Sequence, residues 1–235
     1  MPELLISLKK GRKTLDSVVF DLSVAPYEFY GKFEALIEDG SGLAVGKAYL
    51  FVSKPGTFSA TVELQGQKRR SAIGTFVNPP VGTVQTIAAA FKASKSILAT
   101  TVTFEIDSAS DLVAGTHEAN TIRGFRLAKA GRAPTQAVTV EFQNDVAGDR
   151  VTTPGGTGYA TGKASSKGQL RLKGLLGDAQ KLSATFLLSQ TNQAVVFVQP
   201  YKDKTASFFG GIITVGDLGQ PERGGSSESE AAGIQ

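Results

Sequence analysis

The chain contains one histidine, His117, and no cysteine, which narrows the side-chain chemistry it can run. Any nucleophile, base and orienting group built on histidine would have to converge on that single position. No G-x-S-x-G elbow accompanies it, and Gly115-Thr116-His117-Glu118 has the composition of a turn, so His117 is expected in a loop. Without cysteine there is no thiolate nucleophile, disulfide framework or cysteine-based zinc site.

Oxygen ligands are the next resource. Asp39-Gly40-Ser41-Gly42 and Asn144-Asp145 with Asp149 are acidic loops, but neither has the alternating acids and closing glutamate of a calcium loop. Asx-type turns are the expected use of both. Gly155-Gly156-Thr157-Gly158 lacks the lysine of a phosphate-binding loop and leads into a strand where a helix N-terminus would be needed. A hairpin turn is expected there. No spacing nominates a carboxylate pair for glycoside hydrolysis among the 21 acidic residues. The expectation is therefore a chain with no catalytic residues, no metal ligands and no cofactor.

The net charge of +4 permits contact with an anionic partner without requiring one. Its densest spots are Lys9, Lys10, Arg12 and Lys13, then Lys68, Arg69 and Arg70 in a hairpin turn. Neither has the interleaved aromatics of a single-strand binder, so solvated loop charge is expected and nucleic acid is not. No stretch approaches the roughly 20 apolar residues of a membrane helix. Leu4 to Leu8 is too short for a signal-peptide core, and the basic residues follow it instead of preceding it.

The elements that must carry these residues read as strands. Phe58, Ala60, Val62 and Leu64 alternate with Thr57, Ser59, Thr61 and Glu63, a period of two with one apolar face. Ser53-Lys54-Pro55-Gly56 before them supplies the proline and glycine of a tight turn. Small residues line one face of the preceding strand at Ala44, Gly46 and Ala48, and again at Gly158, Ala160, Gly162 and Ala164. Such rows suit strongly coiled strands of a small barrel or tight sandwich.

Internal similarity organises the whole. Gly46, Ala48, Ser53, Gly56 and Leu64 find counterparts at Gly158, Ala160, Ser165, Gly168 and Leu176, with small offsets at each turn. Val84, Ile87, Ala88 and Phe91 have helical spacing, but the matching Val195-Val196-Phe197-Val198 is a run of β-formers, so a strand is expected at both places. The fold class is all-β: two diverged antiparallel meander units forming small barrels or a sandwich. The expected organisation is entry strands over 1–26, a first unit with linker over 27–134, a second unit over 135–218, and a disordered polar tail over 219–235.

Tyr27, Gly31-Lys32-Phe33, Gly46-Lys47-Ala48, Val52-Ser53, Gly56-Thr57-Phe58 and Gly74-Thr75-Phe76 together make a pattern. It resembles the glycine-punctuated β-meander repeats found near the ends of large bacterial secreted and surface proteins, over most of residues 27–218. The resemblance implies an exported, non-enzymatic module, at the cell surface or outside the cell; the missing leader leaves a cytoplasmic location open. Tyr49 and Phe51 lie opposite Ala48 and Leu50, making that strand apolar on both sides, and they are the candidate interaction face for a protein partner or sibling domain. A barrel interior holding a small apolar ligand is the alternative.

Overall fold

A computed structural model describes residues 3–10, 13–21, 27–53, 56–75, 81–93, 97–128, 136–143, 157–177, 179–199 and 209–215. The expected tail over 219–235 and the acidic loop at Asn144–Asp149 lie outside the described residues. Among the described residues, apart from one 3-10 turn at Tyr27–Phe29, the regular structure is all strand.

β1 (Glu3–Lys10) and β2 (Lys13–Asp21) pair antiparallel with a register irregularity at Leu8/Lys9. Eight further strands then run up and down in sequence: β3 (Gly31–Glu38), β4 (Ala44–Val52), β5 (Thr57–Leu64), β6 (Arg70–Thr75), β7 (Val84–Phe91), β8 (Thr100–Asp107), β9 (Leu112–His117) and β10 (Asn120–Arg126). Each pairs with its sequence neighbour except β6 with β7, and β10 returns to pair with β3. The sheet therefore wraps into a nearly closed barrel with one seam, between β6 and β7.

Alternation sends one face of every strand inward. Phe33, Leu50, Phe58, Ile87, Phe91 and Phe104 are all buried in one continuous core, with Ala48, Ala60 and Ala89 between them. Large and small side chains thus interlock across the barrel, and the interior is occupied by protein. Residues Val84–Phe91 form a strand despite their helical spacing, because Ile87, Ala89 and Phe91 face this core while the residues between them point out. Close strand approach explains the buried glycines. A Cβ at Gly124 would stand 2.2 Å from the Glu34 carbonyl oxygen, so only glycine lets β10 lie against β3 there.

One member of the small-residue row is displaced. The β3–β4 register shifts between Ile37 and Glu38, and the resulting bulge turns Ala44 away from Gly46 and Ala48. Ala44 packs instead on the outside of the barrel, with Leu36, Phe125, Leu127 and Val195.

Beyond the barrel, β11 (Gln136–Gln143), β12 (Thr157–Ala164), β13 (Gln169–Leu175) and β14 (Lys181–Leu187) make a four-stranded antiparallel sheet. A hairpin of β15 (Gln193–Val198) and β16 (Phe209–Thr214) follows. Ala194, Val196 and Ile213 face the core shared with that sheet, whereas Val195 and Ile212 face the outside of the barrel. The hairpin is consequently sandwiched, which is why β15 is a nearly unbroken apolar run. A backbone link reinforces the junction, since the Ala128 N–H donates to the Leu188 carbonyl at 2.8 Å.

The turns before β5 and β13 have the same wiring. Gly56 donates to the Ser53 carbonyl and Gly168 to the Ser165 carbonyl, with φ of +81° and +71° that an L side chain resists.

Candidate functional site

Two ends of the barrel differ in chemistry. At one, the 3-10 turn Tyr27–Phe29 closes the opening, with Phe29 buried in the core. Arg126 fastens this plug: its Nη1 donates to the Tyr30 carbonyl at 2.6 Å, its Nη2 donates to the Glu28 carbonyl, and its Nε is 2.7 Å from Asp111 Oδ1. The guanidinium also lies over the Phe33 ring, 4.9 Å from its centroid. That end is built for closure.

The other end is a mouth. The β3–β4, β5–β6, β7–β8 and β9–β10 connections gather there around a depression of about 290 Å³. Val45, Leu64, Ile97 and Leu98 line it together with Gln65, Gln67, Arg70, His117, Glu118 and Asn120. Asp39 shapes the rim, accepting from the Ser41 N–H and hydroxyl and the Leu43 N–H, an Asx-type turn whose bonds hold its carboxyl below the usual range.

His117 was expected in a loop, and the structure corrects this. It is the last residue of β9, only 3% exposed, and the turn is Glu118-Ala119, where Glu118 takes φ +56°. Its Nδ1 is buried without a hydrogen-bond partner. Burial lowers its pKa below 6.5; Glu118 opposes that shift and Arg70 adds to it, so the imidazole is neutral at physiological pH.

Arg70 was expected as solvated turn charge, and that too is corrected. Its Nη2 donates to the carbonyls of Phe91 at 3.2 Å, Lys92 at 2.9 Å and Leu98 at 3.1 Å, with the guanidinium 5.5 Å from the Phe91 ring centroid. It spans the seam where the sheet is not closed by strand pairing. Sequence distances of 21 to 28 residues hid this from the linear pattern.

The expected interaction face lies on the outside of the barrel. Tyr49 is half-buried against the cluster of Leu36, Ala44, Phe125, Leu127 and Val195, and Phe51 is half-buried on the same strand. The chain's own β15–β16 hairpin therefore covers part of this surface.

Beside Tyr49 sits a group that the sequence did not flag. Glu34, opposite Tyr49 on β4 and Phe125 on β10, is 8% exposed, and its Oε2 has no partner. Burial raises its pKa to about 7, because Lys47, with Nζ 3.8 Å from Oε1, offsets the lost hydration only in part. Burial, with the Glu34 charge adding to it, raises the Tyr49 hydroxyl pKa.

Among the described residues no three metal-ligating side chains converge, and no helix is long and apolar enough to cross a membrane. No protein-family model, curated protein or solved structure matches the chain.

Proposed function

We propose that this chain is a non-enzymatic structural or interaction module, working as part of a cell-surface or secreted assembly and built from two diverged meander units. One observation carries the reading: the barrel interior is filled by Phe33, Phe58, Phe91, Phe104 and their neighbours, which leaves recognition to the rims and outer face. A lined and emptied interior is what a carrier of small apolar molecules needs, so the packing weighs against that alternative. The outer face already serves as a docking surface, since β15 and β16 lie on it through Val195 and Ile212. The equivalent turns at Gly56 and Gly168 support the duplicated-unit reading, and the glycine-punctuated pattern supports an exported setting.

The partner is a protein or sibling domain seated near Phe51, on the part of that face the hairpin leaves open. Chemical cross-linking of the protein in extract from its own source tests this. The expected result is a discrete cross-linked species, or a defined oligomer, that Phe51→Glu abolishes while the melting temperature stays within a few degrees. A cross-linking pattern identical in the wild type and Phe51→Glu contradicts the assignment of this face.

A further inference from the structure

We propose that the barrel mouth around His117 is a binding site for a neutral, polyhydroxylated ligand, of the size and chemistry of one or two sugar units. Volume sets the scale. A depression of about 290 Å³ is at the small end of ligand sites, too small for a long apolar chain and ample for a sugar ring.

The lining sets the chemistry. Gln67 and Asn120 each present an amide with both donor and acceptor, Glu118 adds an acceptor and Arg70 adds donors. The two charges cancel, so Arg70 disfavours a cation and Glu118 an anion, while a ligand of hydroxyl groups matches both. Leu98, 86% exposed, gives the site an apolar wall for the C–H face of a ring. His117, 3% exposed, lines the depression and holds its position between the flanking strands.

The seam makes the site specific to this end. Arg70 is already fixed by the Phe91, Lys92 and Leu98 carbonyls, so its position does not have to be ordered by the ligand. The two-residue Glu118-Ala119 turn likewise fixes Glu118 between His117 and Asn120, which pair across it.

The test is a nuclear magnetic resonance titration of the full chain with glucose, galactose, mannose and N-acetylglucosamine, with glucuronate as the charged control. Saturable shifts of the Gln67 and Asn120 side-chain amides with at least one neutral sugar are expected, with glucuronate weaker. Gln67→Ala, exposed in the β5–β6 connection, and Asn120→Ala, half-exposed at the start of β10, should each weaken binding roughly five- to tenfold, the share of about one net hydrogen bond. Absence of saturable shifts with every neutral sugar, tighter binding of glucuronate, or shifts that persist undiminished in both variants would overturn the proposal.

Discussion

Arg70 on β6 holds the carbonyl of Lys92, just past the end of β7, at 2.9 Å across the one place where the barrel is not closed by strand pairing. Backbone bonding ends at the seam, and a side chain takes over. Replacing it with Arg70→Met keeps most of the aliphatic stem and removes every donor. The expected cost is about 1–3 kcal/mol in urea unfolding, because carbonyls in a partly buried site lose a charged partner. Hydrogen exchange should quicken first in β6 and β7. Uniform acceleration across the barrel would mean that the seam is not the weak point.

Glu34 makes stability depend on pH in an identifiable direction. Its pKa is about 7 in the folded chain against 4.5 for the exposed group, so the folded state holds the extra proton between those values. Stability from this group is full below pH 4.5, declines as pH rises towards 7, and stays low above it. Glu34→Gln removes the penalty. At pH 8 it should be more stable than the wild type by up to roughly 3 kcal/mol, with the gap closing by pH 4.5. Denaturant melts of both proteins across this range check the claim.

His117 acts in the opposite sense. Its pKa is below 6.5, so the unfolded chain binds the proton more readily, and stability is present above pH 6.5 and lost as pH falls beneath it. Following the imidazole C–H resonance of the single histidine gives the folded pKa directly. A value at or above 6.5 would remove the case for a buried, neutral ring. Glu34 and His117 partly cancel in the wild type, which is why the Glu34→Gln difference is the cleaner readout.

Gly210 sets how closely the β15–β16 hairpin lies on the barrel. A Cβ there would stand 2.6 Å from the Ala44 Cβ. Gly210→Val should therefore lift the hairpin from the barrel while leaving the barrel core intact, at a cost of about 1–3 kcal/mol. Limited proteolysis should cut the second sheet earlier, with barrel fragments persisting. Simultaneous loss of both would show that the two cores do not separate.

The strands were legible wherever one face alone decides their fate. In β5 the alternation of Phe58, Ala60 and Val62 with polar residues matches their burial in the core directly. It failed where a residue answers to partners distant in the chain. Gly115 to Glu118 has turn composition, yet the turn takes only Glu118 and Ala119, and pairing with β8 and β10 keeps His117 in the sheet. Ala44 left its row because a bulge is a property of two strands together. Glu34 reads as an ordinary strand carboxylate, and its burial comes from β4, β10 and their surroundings. Tyr49 was legible as apolar surface, but not as surface that the same chain partly covers.

Native mass spectrometry of the protein purified gently from its own source tests the central claim most directly, since the account rests on a barrel filled by its own side chains. The predicted spectrum holds the chain without any apolar adduct, alone or as a defined assembly with protein. A stoichiometric apolar small molecule that survives purification would contradict it, because the barrel would then be a container.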